Sequence, residues 1–288
     1  YSKLYVNAGK VTNKGIELAL GFKQNIGPVD WKTTLLWSLN RNRIDQLLPE
    51  YTNEELGVTV HLDEMDVYSL GGAKQRLTVG GSMGDVYVNT MRTDEHGHIW
   101  MNSMTGTLET DKNNYVYAGN TNPKYTLSWR NEFNWKGISL GFMLNARGGG
   151  IGVSATQAVM DYYGVSKTSA EARDNGGVKV NGQMIDAQTW YQTIGANGTG
   201  YVGSMYVYSM TNVRLGELTL GYDIPINKWC KWISGLNVSF VGRNLWMLYC
   251  KAPFDPESTA STGTYNQGMD YFMQPSLRSM GFSAKISF

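Results

Sequence analysis

Apolar and polar side chains alternate along much of the chain, in segments of about ten residues, the length that a tilted membrane strand requires. In the clearest segment, residues 125–136, the apolar face is interrupted only by Asn131 and consists of Tyr125, Leu127, Trp129, Phe133 and Trp135. The same pattern recurs in residues 15–25, 31–43, 138–147, 212–223, 236–245 and 280–288. This period of two predicts β-strands with one apolar and one polar face.

The connections between these segments alternate in length. The short ones are residues 25–30, 135–138 and 223–235, and the long ones are residues 44–74, 148–211 and 249–277. Residues 85–103 predict a further hairpin that turns at residues 94–97, either in the barrel wall or projecting from a loop, and counting it gives about nine strands. Residues 154–163 lack the alternation and predict a short helix inside a long loop. Short turns at one end and long loops at the other are typical of outer-membrane barrels.

A soluble β-sandwich is the alternative fold, since its strands also have one polar face. Three features favour the barrel: the strands exceed the usual five or six residues, aromatic residues lie near strand ends, and the chain stops on an aromatic residue within a strand. The aromatic residues near strand ends are Trp31, Tyr125, Trp135, Tyr222, Trp229 and Trp232. The expected fold class is therefore all-β, an antiparallel transmembrane β-barrel.

Composition and charge agree with this expectation. The 34 glycines, 18 tyrosines and 9 tryptophans suit strands and turns. A mean hydropathy of −0.32 excludes a helical membrane bundle, but it allows a barrel, in which only alternate residues meet lipid. The 25 basic and 24 acidic residues argue against a nucleic-acid partner. Residues 1–10 do not have the pattern of a signal peptide, so we expect any targeting segment outside this sequence.

Few residues suggest chemistry other than transport. Cys230 and Cys250 would lie at opposite ends of one strand, far beyond disulfide reach, and are expected to be free thiols. The histidines His61, His96 and His98 lack zinc-site spacing. The acidic cluster Asp63, Glu64 and Asp66 lacks the pattern of a calcium loop, although a loop calcium ion stays open. We therefore expect no metal and no cofactor.

Two further motifs have a simple structural interpretation. The glycine-rich residues 147–152 do not have dinucleotide-binding spacing, and they predict a strand end that enters a flexible loop. Asp255 and Glu257, with Glu217 or Asp270, could form the carboxyl pair of a glycoside hydrolase, but this would need a defined separation and a raised pKa. We expect a loop motif here and no catalysis.

Several short motifs, in order and spacing across nearly the whole chain, resemble the C-terminal part of SusC/RagA-type TonB-dependent transporters. These are residues 7–18 (NAGKVTNKGIEL), 119–125 (GNTNPKY), 213–225 (VRLGELTLGYDIP), 242–246 (GRNLW), 255–257 (DPE) and 274–275 (QP). The resemblance implies that residues 1–288 form the C-terminal part of a plugged barrel of about 22 strands in the bacterial outer membrane. The plug and the TonB-contacting segment would lie outside this sequence.

The resemblance also implies function and partners. Such transporters import oligosaccharides, or in some members oligopeptides, with a SusD-like surface lipoprotein and with energy supplied through TonB. Side chains such as Arg130, Glu132 and Lys285 would then line the plug or the path. In this family the terminal strand carries the barrel-assembly signal, which implies that role for Met280, Phe282, Ile286 and Phe288. The same residues could equally be a simple lipid-facing strand, and both interpretations are compatible.

Five aromatic residues of the long loop after Arg147 are candidates for contact with a substrate or a partner: Tyr162, Tyr163, Trp190, Tyr191 and Tyr201. Their rings could stack on sugars or anchor a peptide. They could equally pack the loop against the barrel or against the lipoprotein, because large loops need a core of their own. Near-neutral charge and these aromatics slightly favour a glycan. Two other functions stay open: a soluble β-rich glycan-binding or hydrolytic domain, and a passive outer-membrane channel.

Overall fold

A computed structural model describes residues 9–54, 57–102, 107–198, 200–226, 229, 232–258 and 265–288. Its strands are β1 (Lys10–Ile26), β2 (Val29–Gln46), β3 (Leu48–Asn53), β4 (Val58–Leu62), β5 (Glu64–Leu70), β6 (Ala73–Thr78), β7 (Asp85–Met91), β8 (Thr110–Asn120), β9 (Tyr125–Trp135), β10 (Ile138–Gly148), β11 (Ile151–Ser154), β12 (Val178–Val180), β13 (Gln183–Ile185), β14 (Val207–Ser209), β15 (Asn212–Ile224), β16 (Gly235–Cys250), β17 (Met269–Asp270) and β18 (Ser279–Ser287). Its α-helices are α1 (Ala155–Tyr162), α2 (Lys167–Asp174) and α3 (Ala187–Gly195). No helix among the described residues has the length and apolarity needed to cross a bilayer.

The main sheet contains seven antiparallel strands in the order β1-β2-β9-β10-β15-β16-β18. Each of the seven alternating segments lies in one of these strands, so the all-β, antiparallel fold expected from the sequence is confirmed. Tight turns join β1 to β2 at Gly27 (φ 58°) and β9 to β10 at Lys136 (φ 47°) and Gly137 (φ 85°). Positive φ angles of this kind favour glycine. The long connections leave the opposite end of the sheet.

The predicted hairpin at residues 85–103 is not part of the main sheet, which therefore has seven strands and not about nine. The strand β7 pairs instead with β6 and β8 in a separate four-stranded sheet, β5-β6-β7-β8. The predicted turn does form, since the Asp94 carboxylate accepts hydrogen bonds from the backbone N–H groups of His96 and His98, both at 2.9 Å. Beyond it, only single bridges such as Thr93–Ile99 form. A strand does form at the start of the predicted hairpin, but its partners β6 and β8 lie outside residues 85–103.

Register aligns the apolar side chains of the main sheet in continuous rows. One row crosses six strands through Trp31, Phe133, Leu140, Leu220, Phe240 and Phe282. The rings of Trp31 and Phe133 stack with centroids 6.2 Å apart, and those of Phe240 and Phe282 meet edge to face at 5.8 Å. Many of these side chains are open to the surroundings, and Phe282 is 86% exposed. We call this surface the apolar face and the opposite surface the polar face.

Two polar side chains on the apolar face are covered by tryptophans. Asn131, the one interruption in its strand, is only 1% exposed and accepts a hydrogen bond from the Trp31 indole at 3.1 Å. The neighbouring Thr33 accepts a hydrogen bond from the Trp129 indole at 2.9 Å. Each indole N–H donates a hydrogen bond to a polar oxygen while the apolar ring stays on the surface. The surface around Thr33 and Asn131 is therefore still apolar.

The long connections fold into a second body, which we call the loop domain. It consists of β5–β8 with the 93–101 turn, β11–β14, β17 and α1–α3. Its core contains residues from all three long connections: Ala73, Val86, Val88, Met91, Leu108, Val153, Ala155, Ala158, Val180, Trp190, Ile194, Tyr201, Val202, Tyr206 and Met269. Tyr201 is fully buried, and its hydroxyl donates to the Leu70 carbonyl at 2.7 Å. A Cβ at Gly72 would lie 2.0 Å from the Tyr201 carbonyl oxygen, so this close approach requires glycine.

The predicted helix near residues 154–163 is confirmed as α1. Ser154 caps its N-terminus by accepting a hydrogen bond from the Gln157 N–H at 3.0 Å. The same hydroxyl donates to Asp270 at 2.5 Å, where β11 pairs in parallel with β17. The helix start is therefore also the point at which two long connections join.

The loop domain docks onto the end of β2. Beyond the last β2–β9 pair, Ser38–Thr126, the free edge of β2 exchanges backbone hydrogen bonds through Ile44 with the Gly80–Gly81 segment, both at 2.8 Å. On the polar face, Asn42 accepts a hydrogen bond from the Met83 N–H at 2.8 Å. Ile44 has no exposed surface. These contacts place the loop domain over the polar face at the end of the sheet that bears the long connections.

The apolar face predicts how a charge in β18 affects membrane insertion. We expect the Phe282→Lys substitution in the full-length protein to cost roughly 2–4 kcal/mol if this position meets lipid at mid-membrane depth. Insertion is measured by heat-modifiable electrophoretic mobility and by resistance to carbonate extraction. Ser283→Lys is the matched control, because Ser283 lies next to it in β18 but on the polar face. Equal insertion of both variants, or folding of the Phe282→Lys variant without detergent, would contradict a membrane strand.

Candidate functional site: the polar face and its loops

Opposite charges alternate across the polar face. The ion pairs Lys32–Glu132 (3.7 Å), Arg130–Glu132 (2.7 Å), Arg130–Glu217 (3.7 Å) and Arg243–Glu217 (3.7 Å) form a line of five charged side chains on β2, β9, β15 and β16. Their side chains are about one-fifth to two-thirds exposed, so each pair contributes little to stability. The line therefore presents a patterned, solvent-facing charge surface.

The residues expected to line a path lie on this face. Arg130 and Glu132 are members of the charged line. Lys285 lies opposite Asn237 in the β16–β18 register, on the same face. Strand alternation was sufficient to assign all three to the polar face, but the cross-strand pairs of Arg130 required the register.

A large polar cavity opens where β2 and β9 diverge beneath the loop domain. Its volume is about 860 Å³. It is lined by Asn13, Ser38, Asn40, Arg41, Asn42, Ser82, Met83, Gly84, Asn120, Thr121, Asn122, Pro123, Lys124, Tyr125, Thr126 and Gln267. Six of these side chains are carboxamides and none is a carboxylate, so we call it the amide cavity. Carboxamides both donate and accept hydrogen bonds, which suits uncharged polar ligands such as peptide bonds and sugar hydroxyls.

Three of the short motifs, together with Ser276, which directly follows a fourth, meet around the buried Arg214 in a cluster that we call the Arg214 node. The Arg214 guanidinium, 5% exposed, donates to Asp255 at 2.9 Å and to the Asn244 side-chain carbonyl at 3.2 Å. Asp255 also accepts a hydrogen bond from the Ser276 N–H at 2.9 Å, and Asn244 donates to the Ser276 hydroxyl at 2.8 Å. Asn244 has a positive φ of 51°, which asparagine tolerates better than most residues. The node fastens the connection between β16 and β18 to the sheet.

The node gives Asp255 the protonation behaviour of a structural carboxylate. Burial raises the pKa of Asp255, but hydrogen bonds from Ser276, the Glu257 N–H and Arg214 outweigh it and lower the pKa to about 2. A general acid for glycoside hydrolysis needs the opposite shift. The suggested partners have other contacts, since Glu217 pairs with Arg130 and Arg243, and Asp270 binds Ser154. The expectation of a loop motif therefore describes this site better than a catalytic pair does.

The five candidate aromatics of the long loop separate into two groups. Trp190 and Tyr201 are 9% and 0% exposed and belong to the loop-domain core, so they do not present a ring to a ligand in this structure. Their rings therefore have a packing role, which the sequence left open beside ligand contact, because the loop domain needs large apolar side chains to form a core. Tyr191 is half-buried against that core. Tyr162 and Tyr163 form an edge-to-face pair at 5.1 Å, and Tyr163 is 63% exposed.

The terminal residues lie on the apolar face at one edge of the main sheet. Met280, Phe282 and Ile286 lie opposite Gly242, Phe240 and Leu236 of β16. The strand β18 ends at Ser287, and Phe288 follows it with 90% exposure. The expected alternation is present, and the role in barrel assembly stays a prediction.

The remaining polar motifs have structural partners. Asp66 of the acidic cluster pairs with Lys74 at 3.1 Å and Arg76 at 2.6 Å in β6. Among the described residues, no group of three or more His, Cys, Asp or Glu side chains is arranged to hold a metal ion. Cys250 is a free thiol at the end of β16. Cys230 and the first two residues of the 7–18 motif lie outside the described residues.

The glycine-rich residues 147–152 continue from β10 into β11. Gly149 and Gly150 have positive φ angles of 79° and 84°. A Cβ at Gly150 would lie 2.9 Å from the Thr121 carbonyl oxygen. The expected strand end is present, and its glycines let the chain pass close to the segment before β9.

Comparison with known proteins matches this architecture to solved transporter structures. No protein-family model and no curated protein sequence matches the chain. The structure of the RagAB peptide transporter matches with a TM-score of 0.64 and 16% identity over 96% of this chain. The RagAB peptide importer matches in its closed-closed state (TM-score 0.63, 15% identity over 96% of this chain) and in its open-open state (0.57, 16% over 97%). The chain has the fold of part of these transporters.

The match confirms the SusC/RagA-type resemblance at the level of the fold. This chain covers 29% of the length of each of the three matched chains. It therefore corresponds to under a third of a transporter chain, and the activity of a whole transporter does not follow from the fold.

The Arg214 node predicts how the β16–β18 connection responds to substitution. Arg214→Met leaves Asp255 buried without its cation, which costs about 3–5 kcal/mol when a buried pair is broken. We expect faster protease cleavage within residues 251–278 of the full-length protein, measured by limited proteolysis and mass spectrometry. Arg243→Met is the control, because its single ion pair is 69% exposed on the arginine side. Equal cleavage of both variants would show that the node does not hold this connection.

The low pKa of Asp255 predicts a pH dependence. A carboxyl group whose folded pKa is lowered to about 2 stabilises the fold above its unfolded pKa of about 3.9, and loses this contribution as pH falls to about 2. The shift corresponds to about 2–3 kcal/mol. We expect pepsin cleavage within residues 251–278 to accelerate between about pH 4 and pH 2. The Asp255→Asn variant should lack this acceleration, and a wild-type-like pH profile for that variant would assign the effect to another group.

Proposed function

We propose that the chain is the C-terminal part of a TonB-dependent outer-membrane transporter that imports oligopeptides or oligosaccharides together with a SusD-like surface lipoprotein. The observation that carries the proposal is the apolar face, which runs in register across seven strands. Such a face is suited to lipid, and the polar face would then line the lumen. The likeness to the RagAB structures supports this assignment.

Lipid would require further strands beside those described. The strands β1 and β18 lie at the two ends of the main sheet. In a bilayer the unpaired backbone groups of an open edge would cost several kcal/mol each, so a membrane-spanning sheet must close. The rest of a barrel of about 22 strands would provide the missing neighbours. A plug inside the lumen would then face the line of charges that includes Arg130 and Glu217.

The amide cavity is the proposed contact site for the transported solute. Its carboxamides can bind peptide bonds and sugar hydroxyls alike, and Arg41 and Lys124 add positive charges without a carboxylate in the lining. The matched structures are described as peptide transporters, so a peptide is the first class to test, in contrast to the slight preference for glycans based on composition. The exposed Tyr162–Tyr163 pair is a second proposed contact, for the solute or for the lipoprotein.

An uptake experiment tests the proposed function. A strain that lacks the full-length gene should lose uptake of labelled oligopeptides or oligosaccharides, and the wild-type gene should restore it. Uptake should stop when TonB is deleted or the proton gradient is dissipated. Uptake that continues without TonB would favour a passive channel. A full-length protein that is soluble without detergent would instead favour a β-rich binding domain.

Substitutions in the amide cavity test the solute contact. The Asn40→Leu and Asn122→Leu double variant removes two exposed carboxamides from the lining, and we expect about tenfold weaker solute binding because each lost hydrogen bond contributes about 0.5–1.5 kcal/mol. Binding is measured by calorimetry on purified full-length protein. Ser283→Leu on the polar face of β18, outside the cavity, is the control. Unchanged binding by the double variant would exclude the cavity as a contact site.

A further inference from the structure

The apolar face of β1 and β2 has a sharp upper boundary. Its rows run from the Ile26–Val29 pair at the short turn to the Ile16–Leu39 pair near the loops. Ten residues at about 3.3 Å per residue and a tilt of about 40° correspond to a band about 25 Å tall. This is the height of the lipid-facing band of an outer-membrane barrel.

Three cations lie immediately beyond this boundary on the same face. The next cross-strand pair after Ile16–Leu39 is Lys14–Arg41, and the pair after that is Thr12–Arg43. The first pair lies about 5 Å above the band along the membrane normal, because two residues span about 6.6 Å of tilted strand. This is the level of lipid headgroups.

The Lys14–Arg41 pair lacks the anions that would balance it. Like charges directly opposite each other on adjacent strands repel. Neither side chain forms an ion pair within the part of the chain that the structure describes, and both are exposed. Arg43 pairs with Asp45 at 3.7 Å, and its side chain is still 70% exposed.

A cavity of about 840 Å³ is lined by these cations and by residues of the loop domain and its attachment, among them Ser82 and Asp85. Its two carboxylates are engaged elsewhere. Asp45 pairs with Arg43 and accepts a hydrogen bond from Thr12, and Asp85 accepts hydrogen bonds from the Ser82 N–H at 2.8 Å and from Asn120 at 2.7 Å. The cavity therefore offers an anion two free cations and space for a headgroup.

We propose that Lys14 and Arg41 bind the phosphate group of an anionic lipid at the upper boundary of the apolar face. The inference rests on the proposed membrane-spanning function. Guanidinium groups bind phosphate oxygens in a bidentate manner, and lysine adds a point charge. The acyl chains would lie along the apolar rows that begin at Ile16 and Leu39. At the loop ends of β9 and β16 the exposed side chains include the aromatic residues Tyr125, Trp246 and Tyr249.

Native mass spectrometry of the full-length protein in a neutral detergent tests this site. The probes are phosphatidic acid, and phosphatidylcholine as the lipid without net charge. We expect tighter binding of phosphatidic acid, weakened about 25-fold in the Lys14→Gln and Arg41→Gln double variant, from about fivefold for each cation removed. The matched control is the Lys23→Gln and Lys32→Gln double variant, because these lysines also lie directly opposite each other on β1 and β2, but on the polar face.

Three outcomes would overturn the proposal: equal binding by wild type and the Lys14/Arg41 variant, an equal loss in the control, or complete displacement of the lipid by excess inorganic phosphate, which would indicate a free-anion site. Heat-modifiable mobility and carbonate extraction of the same preparations report membrane insertion separately. A protein that is not inserted would refute the proposed function. An inserted protein with unchanged lipid binding would refute this inference alone.

Discussion

The backbone register between adjacent strands of the main sheet is the constraint on which the rest of the structure depends. Side chains alternate with a period of exactly two residues along each strand, so a slip of one residue would turn a whole strand's apolar set to the polar face. Seven strands in register convert seven separate alternations into two continuous surfaces. On one of them Trp31, Phe133 and Phe142 form a stacked aromatic row. On the other, charges far apart in sequence, such as Arg130 and Glu217, become neighbours.

The long connections solve a different physical problem. Ordering chain segments of this length costs conformational entropy, and the burial of apolar surface offsets that cost. Here three connections share one core, in which Tyr201 and Trp190 are buried. The core must also be held to the sheet, and Asn42 with Ile44 at one end and Arg214 with Asp255 at another provide that attachment through hydrogen bonds. The amide cavity lies beneath this attachment, so its shape depends on it.

Polar groups are distributed differently on the two faces. On the polar face they pair with each other across strands and stay exposed. On the apolar face Thr33 and Asn131 are covered by the indoles of Trp129 and Trp31, whereas Gln24, opposite Trp31, is exposed. The cation pair Lys14–Arg41 lies beyond the end of the apolar rows, and both of its side chains are exposed. The position of a polar side chain along its strand, and not its residue type alone, decides whether it is covered by a neighbouring ring or stays exposed.

Local periodicity by itself determined the seven main strands, their two faces, the tight turn at Lys136–Gly137 and the helix after Ser154, because these depend on neighbours within a few residues. The face of each cation, such as Arg41, also follows from alternation alone. The pairing of strands and the packing of segments distant in sequence decided the remaining features of the fold. The strand β7 joined a separate sheet, Trp190 and Tyr201 became core residues, and Arg214, Asn244, Asp255 and Ser276 met in one node. These outcomes depend on contacts between residues tens to hundreds of positions apart, whose free energy is set by packing and shared hydrogen bonds that no local pattern encodes.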